Sequence, residues 1–266
     1  MIRVLSELSR LNSISNLGKV VKGEINFNTT LPISIKVKEQ VKSNLFMLDI
    51  GRKEQIQTKS ELPLDVGKKY WGILKQEPKS KSVSISNLFI QPKILQSKLD
   101  QGNLRFDIQT LKNVLESNNP KETIKQNLLH QLSTATSKEQ FLLTTNLLNA
   151  LQDNLFSFVL THNQKETFFQ FKKQKSKKRE KKDQQDDNQN GSIEFYAAFE
   201  NLGPLEGVVE LIDGISHLTI YLFYENSLEF LKNELKNLSF ETNLYKKKGK
   251  IYPLYEYGNS LLDLKG

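Results

Sequence analysis

The sequence contains no cysteine. Such a chain forms no disulfide, carries no thiol nucleophile and cannot build a zinc site from thiolate ligands. Its three histidines, His130, His162 and His217, lie far apart in the sequence, so a metal site would need ligands that the fold gathers from distant segments. The sequence therefore predicts neither a metal site nor a bound cofactor.

Sequence motifs of the common enzyme classes are missing too. No glycine-rich run precedes a Lys-Ser or Lys-Thr pair, so the phosphate cradle of P-loop enzymes is absent. No nucleophile elbow or serine–histidine–aspartate signature is visible. Glu206 and Glu210 would share one face of a strand, but nothing near them indicates the enclosed pocket that acid–base catalysis requires. We therefore expect a protein that is not an enzyme.

Long apolar runs are absent as well. No segment approaches the ~20 consecutive apolar residues that a membrane-spanning helix needs, so we expect no membrane insertion. Residues 1–18 place aliphatic side chains at helical spacing, with charged residues between them: Ile2, Leu5, Leu8 and Leu11. This pattern predicts an amphipathic N-terminal helix rather than a secretory signal, and we expect the protein to be cytoplasmic.

The net charge of +8 is concentrated in one run. Residues 165–182 contain nine Lys or Arg and two Glu, and an acidic, polar stretch follows. Residues 172–191 offer no apolar side chain to bury, so we expect a disordered, solvated loop between two strands. The alternative is a basic tether for an acidic protein surface or for nucleic acid, but the run lacks the interleaved aromatic residues that stack on bases.

Short β-rich runs separated by turn residues occupy residues 19–89. They are Val20–Phe27, Ile33–Val41, Leu45–Ile50, Gln55–Thr58, Tyr70–Leu74 and Val83–Ser86. Many short strands with regular turns are typical of a barrel or sandwich, and we predict a small N-terminal β-barrel.

An oligonucleotide-binding barrel is one special case of this prediction. Phe46, Tyr70 and Trp71 could stack on bases, with basic side chains at the nucleic-acid backbone: Arg52, Lys53, Lys68 and Lys69. However, Phe46 and Trp71 alternate with other apolar residues, as core positions do. We therefore favour core packing, and single-stranded nucleic-acid binding is the alternative function.

Residues 90–160 are predicted to form a helical middle segment. One apolar stripe precedes the Asn118-Asn119-Pro120 break and a second follows it; the two stripes are Ile108, Leu111, Val114 and Leu115, then Ile124, Leu128, Leu129 and Leu132. Ser137 and Gln140 predict a capping box at the start of a third helix, whose apolar stripe continues to Leu155. Leucine stripes at this spacing usually indicate core faces.

Residues 161–266 begin with two strand-like segments, Thr167–Phe171 and Ile193–Phe199. Asp213-Gly214 then supplies the positive φ angles of a tight turn between two further β-rich runs. A helical stripe follows, at Leu228, Leu231, Leu235 and Leu238, with Asn226 and Glu229 as a predicted capping box. Phe240, Thr242 and Leu244 alternate as a returning strand. This order predicts a β-β-α unit in which a helix packs on a sheet.

This β-β-α unit resembles the C-terminal domain of flagellar hook-length control proteins. The pair Leu202-Gly203 matches the family's Leu-Gly, and the helix predicted over residues 226–238 matches the family helix. Gly207 departs from the pattern, because the family places an aliphatic residue there. The resemblance covers residues 167–244, and further aliphatic positions that match are Leu205, Val209 and Leu211.

The resemblance implies a non-enzymatic protein that engages the flagellar type III export gate and switches export from rod and hook subunits to filament-type subunits. The implied partner is the cytoplasmic domain of the export-gate switch protein, with hook or hook-cap proteins as further candidates and with export through the apparatus as a further expectation. The implied contact residues are Leu202, Gly203, Leu205, Val209 and Leu211.

The whole chain is thus predicted to be an α+β protein with a small N-terminal β-barrel, a helical middle and a C-terminal sheet-plus-helix domain. Family members that measure hook length carry a long, extended N-terminal half. Here that region is short and patterned as a folded barrel, so the resemblance does not extend to the role of a molecular ruler.

Overall fold

A computed structural model describes residues 29–51, 55–76, 83–96, 104–163, 165–174, 191–235 and 241–256. The predicted N-terminal helix, the strand Val20–Phe27 and most of the charged loop lie outside these ranges. Within them the chain is mixed α+β, with a closed five-stranded barrel, a second sheet of seven strands and five helices.

The predicted N-terminal barrel is confirmed. Its strands are β1 (Ile33–Lys42), β2 (Leu45–Asp49), β3 (Gln55–Ser60), β4 (Lys69–Gln76) and β5 (Val83–Ile90). They close in the order β1-β2-β3-β5-β4, with β3 and β5 parallel and the other pairs antiparallel. In β3, exposed and buried residues alternate strictly, so every second side chain points into the barrel and the others face outward.

The second sheet contains the remaining strands in sequence order. They are β6 (Arg105–Phe106), β7 (Leu155–His162), β8 (Lys165–Lys173), β9 (Gly191–Phe199), β10 (Gly203–Ile212), β11 (Ile215–Leu222) and β12 (Glu241–Lys246). Strands β6 and β12 pair in parallel with their neighbours, and the others are antiparallel. The predicted hairpin turn is confirmed, because Asp213 and Gly214 have φ angles of 49° and 79°.

The charged run of the sequence connects two neighbouring strands. Strands β8 and β9 pair antiparallel, so the charged run joins two neighbouring strands of the C-terminal sheet, as predicted; the predicted disorder falls on residues 175–190, which lie outside the described residues. Strand β8 extends to Lys173 and β9 starts at Gly191, so both strands reach into the predicted loop of residues 172–191.

The five helices are α1 (Lys93–Gln96), α2 (Ile108–Leu115), α3 (Pro120–Ser133), α4 (Lys138–Gln152) and α5 (Glu225–Glu234). Side chains cap three of them by accepting a hydrogen bond from a first-turn amide: Asp107, Asn119 and Ser137. The cap predicted at Ser137 is therefore confirmed, since its Oγ accepts from the amide of Gln140.

The predicted helical segment is wrong in its last part. Helix α4 ends at Gln152, the chain turns at Asn154 with a φ of 59°, and Leu155 begins strand β7. Leu155 continues the leucine spacing of α4, which is why the sequence pattern favoured a longer helix. The run from Leu155 to Leu160 is almost wholly buried, and such a run carries no period that separates a strand from a helix.

Both faces of the central strands are covered. In β9, Phe195, Ala197 and Phe199 face the core beneath the helices. Tyr196 and Ala198 face the opposite way, into a second core that contains Trp71 of the barrel. The sheet thus lies between a helical layer and the barrel, and the strands that lie in the middle lose the polar face that an open sheet would show.

Gly207 in β10 lies where two strands leave no room for a side chain. A Cβ atom added there would lie 2.3 Å from the carbonyl oxygen of Thr219 and 2.6 Å from Cζ of Phe195. The ring of Phe195 therefore fills the space that an aliphatic residue at position 207 would need.

We expect Gly207→Ala to lower the free energy of unfolding by about 1–3 kcal/mol, because the added methyl group overpacks the core. Chemical denaturation followed by circular dichroism measures the loss. Gly191→Ala is the matched control, since a Cβ there meets nothing within 4 Å. Equal stability of the two variants would contradict the packing that the structure shows at Gly207.

Candidate functional site

The Leu-Gly pair of the sequence forms the turn from β9 into β10. Gly203 has a φ of 75°, a left-handed conformation that L-amino acids with side chains adopt at a cost. A Cβ atom at this position would lie 2.6 Å from the ring of Tyr224. The ring of Tyr224 thus packs directly on the glycine, and both features favour glycine at this position.

Long-range hydrogen bonds join the barrel, the sheet and α5 around this turn. The Oγ of Ser227 donates to the carbonyl of Leu202 at 3.0 Å. The hydroxyl of Tyr224 donates to the carbonyl of Asn87 in the barrel at 2.9 Å. The indole Nε1 of Trp71 donates to the carbonyl of Phe199 at 2.9 Å. The motif therefore lies at the junction of the three layers.

The capping box predicted at Asn226 is wrong. Helix α5 begins one residue earlier, its N-cap is Tyr224, and no side chain caps it. The Nδ2 of Asn226 instead donates to the carbonyl of Thr30 at 2.6 Å. A contact with the segment that precedes the barrel therefore replaces the local contact, and local spacing alone could not have indicated it.

Four of the five contact residues implied by the resemblance lie inside the fold. Leu202 and Leu205 are 1% and 0% exposed, Gly203 is buried, and Val209 packs against the main core. Leu211 is 38% exposed. The first four positions shape the unit from within, and only Leu211 presents a substantial side chain to solvent.

Leu211 lies at the end of the β10–β11 hairpin, where the cross-strand pair Ile212 and Ile215 is also exposed, on the opposite face because neighbouring residues of a strand point to opposite sides. We name this end of the hairpin the hairpin tip and define it as Leu211, Ile212 and Ile215, which are 38%, 46% and 60% exposed. Ile212 pairs with Ile215 across the turn, and Leu211 lies opposite Gly191, which has no side chain to cover it. One sequence signal could have indicated this exposed surface: apolar residues directly flank the Asp213-Gly214 turn on both sides, and neighbouring strands do not cover the end of a hairpin.

A groove opens beside the Leu-Gly turn, between the barrel and the C-terminal unit, and we name it the junction groove. It has a volume of about 750 Å³. The barrel contributes Leu62, Ile73, Asn87 and Leu88. The opposite wall carries the aromatic pair Phe223 and Tyr224, the first turn of α5, and the three consecutive lysines Lys246, Lys247 and Lys248.

Carboxylates balance two of these lysines. The Nζ of Lys246 lies 3.0 Å from Oε2 of Glu225, and both side chains are about half exposed. Lys247 forms an ion pair with Glu206 across the sheet. Lys248 is exposed and forms no ion pair with any residue that the structure describes. Since Glu206 is paired and Glu210 is exposed, these two carboxylates do not share an enclosed pocket.

The three rings that could have stacked on bases are in the core. Phe46, Tyr70 and Trp71 are 1%, 7% and 1% exposed, which confirms core packing for all three. Of the basic residues grouped with them, Lys69 is half-buried and donates from Nζ to the carbonyl of Leu95 at 2.7 Å, and Lys68 is exposed. Arg52 and Lys53 lie outside the described residues.

The histidines remain apart in the fold. His130 is on α3, His162 ends β7, and the Nδ1 of His217 lies 3.0 Å from Oε2 of Glu241. Among the described residues, no group of three or more histidine, aspartate or glutamate side chains could hold a metal ion. No helix in the described ranges is both long and apolar enough to cross a membrane.

The protein is thus a barrel joined to a helix-covered sheet. Its candidate binding surfaces are the apolar hairpin tip and the basic junction groove. Comparison with protein-family models, with curated proteins and with solved structures yields no match to this chain.

We expect Gly203→Ala to destabilise the protein more than Gly214→Ala. Both glycines have positive φ, which costs about 1–2 kcal/mol for alanine, but only Gly203 has a ring within contact distance of the added Cβ. The clash adds about 1–3 kcal/mol. Denaturation followed by the fluorescence of Trp71, the only tryptophan, measures the difference. Equal losses would contradict the contact between Gly203 and Tyr224.

Two buried tyrosines predict a loss of stability at alkaline pH. Burial raises the pKa of Tyr224, and burial together with the charge of Glu256 raises the pKa of Tyr196. The unfolded phenols ionise near pH 10 while the folded ones keep their protons. Their contribution is therefore complete below about pH 10 and falls above it, by up to ~1.4 kcal/mol per pH unit for each tyrosine.

Urea denaturation between about pH 9 and about pH 11 checks this prediction. Tyr224→Phe removes one of the two groups, so the stability of this variant should fall less steeply with pH than that of the wild type. Tyr252, which is 62% exposed, provides the control variant Tyr252→Phe, whose slope should equal that of the wild type. Identical slopes in both variants would show that Tyr224 does not contribute.

Proposed function

We propose that this chain is a non-enzymatic protein of the flagellar export system. It engages the cytoplasmic domain of the export-gate switch protein and helps to switch export from rod and hook subunits to filament-type subunits. A cytoplasmic location, with export through the type III apparatus, belongs to the same proposal. Its support is the strand–turn–strand–helix order of residues 203–234, which is the order on which the resemblance to hook-length control proteins rests.

The observation that carries the proposal is the hairpin tip. Ile212 and Ile215 form a cross-strand pair that stands in solvent, and polar residues surround it at Glu210, Asp213 and Ser216. Exposed apolar patches rimmed by polar residues mark protein–protein contact sites. Burying a fully exposed isoleucine contributes about 1.5–3 kcal/mol, so covering the exposed half of each of these two side chains contributes about 1.5–3 kcal/mol for the pair.

The proposal covers the switch role and not the measurement of length. The described residues between 29 and 256 form a barrel, a sheet and helices that pack on one another. A ruler needs an extended chain, which spans about 3.3 Å per residue, and a segment folded into strands of a closed barrel does not provide that span.

We expect the double variant Ile212→Ser, Ile215→Ser to bind the purified export-gate domain at least about tenfold more weakly, because both buried contacts are lost. Isothermal titration calorimetry measures the affinity. The matched control is Leu129→Ser, Phe141→Ser on α3 and α4, whose two side chains are 40% and 49% exposed. This control should bind like the wild type.

Two outcomes count against the proposal in different ways. A wild-type chain that shows no affinity for the export-gate domain would overturn the proposed function itself. Wild-type binding that the hairpin-tip variant retains in full would place the contact elsewhere on the molecule. Circular dichroism of each variant keeps loss of fold separate from loss of contact.

A further inference from the structure

We infer that the junction groove binds an extended acidic peptide segment of a partner protein, with an aliphatic side chain of that segment seated on its floor. This site is distinct from the hairpin tip. The tip lies at the turn of the β10–β11 hairpin, whereas the groove lies at the other end, beside Phe223 and Tyr224. The two ends are seven residue steps apart along β10, which is about 23 Å.

The floor of the groove suits an aliphatic side chain. Ile73 and Tyr224 are buried beneath it, and Leu88 and Phe223 line it as half-buried residues. Leu62 stands on the rim and is 57% exposed. The volume of about 750 Å³ is within the ~300–1,000 Å³ range typical of ligand-binding clefts. An aliphatic side chain that enters the groove therefore meets apolar surface on the barrel side and on the sheet side.

The wall of the groove suits the carboxylate side chains of an acidic peptide segment. Three consecutive lysines line it, Lys246 to Lys248; Glu225 and Glu206 pair with the first two, so Lys248 is the lysine whose charge no described carboxylate balances. The ion pair between Lys246 and Glu225 is half exposed, and such pairs contribute only about 0–1 kcal/mol. A carboxylate on a ligand can therefore replace Glu225 at little cost, and Lys248 has no ion-pair partner among the described residues to give up.

A polar group between floor and wall suits the backbone of a peptide. Asn87 lines the groove and is exposed; it has a φ of 51° and lies where the pairing of β5 with β4 is irregular. The amide of an asparagine both donates and accepts hydrogen bonds, as a peptide unit does. The carbonyl of Asn87 is already held by Tyr224, which fixes the position of this residue on the rim.

A peptide fits these residues better than a nucleic acid does. The residues that line the groove include no arginine, the ring of Tyr224 is 2% exposed, and the ring of Phe223 is half-buried against Phe89 and Tyr224, so the groove offers no freely exposed ring for a base to stack on. Because Glu225 and Glu206 already pair with two of the three lysines, the wall has little net charge for a chain of phosphates, whereas a peptide with one or two carboxylates and an apolar residue matches it.

Fluorescence anisotropy of the full chain with three labelled probes tests this site. The first probe is a peptide rich in glutamate and leucine, the second carries glutamine in place of each glutamate, and the third is an oligothymidylate. We expect the acidic peptide to bind at least about tenfold more tightly than its glutamine form, because the lysine wall favours carboxylates. Raising the salt concentration should weaken that binding.

Two variants with matched controls locate the binding site. Lys248→Glu should lower the affinity for the acidic peptide about tenfold, whereas Lys138→Glu makes the same change of net charge on α4, beyond the opposite face of the sheet, and should have little effect. Leu62→Ser should lower the affinity too. Val66→Ser should not, although Val66 is similarly exposed, at 54%.

Each of three results would overturn the site. They are a lack of binding by the acidic peptide, equal affinities of the Lys248→Glu and Lys138→Glu variants, and tighter binding of oligothymidylate than of the peptide. The double variant at Ile212 and Ile215 should bind the acidic peptide like the wild type. Its result therefore separates failure of this site from failure of the contact proposed for the hairpin tip.

Discussion

The burial of the central sheet on both faces is the constraint on which the rest of the structure depends. Strands β7 to β9 have helices on one side and the barrel on the other. Trp71 joins the two layers, since it is 1% exposed and its indole N–H must find an acceptor within the interface. The carbonyl of Phe199 accepts that bond where β9 ends. The Leu-Gly turn follows directly, so its place in the fold is set by the same contact.

Local patterns in the sequence predicted the elements, and contacts between distant residues decided what those elements do. The alternation in β3, the turn at Asp213-Gly214 and the cap at Ser137 depend on residues a few positions apart, so a sequence reveals them. Trp71 and Phe199 are 128 residues apart, and Tyr224 and Asn87 are 137 apart. No local sequence period indicates contacts between residues this far apart, so the junction groove could not be predicted. For the same reason, the sequence matched the Leu-Gly pair to a motif but did not indicate that the pair is buried.

The two glycines of β10 are favoured at their positions for different physical reasons. Gly203 combines a left-handed backbone with a ring packed on its open side. Gly207 has no such backbone requirement, and a side chain there is prevented by the carbonyl oxygen of Thr219 and by the ring of Phe195. An alanine at position 207 would therefore force the backbone of β11 or the ring of Phe195 to move, whereas an alanine at position 203 would also have to hold a left-handed backbone.

The two candidate binding surfaces lie at opposite ends of one hairpin and differ in chemistry. Strands β10 and β11 pair without a register shift from Leu205 to Ile212, so the hairpin is a continuous ladder between its tip and the groove. A ladder of this kind holds the ends at a fixed separation of about 23 Å. A partner that contacts both must therefore be extended or larger than the hairpin, with an apolar patch at one end and an acidic segment at the other. Two separate partners would face no such requirement.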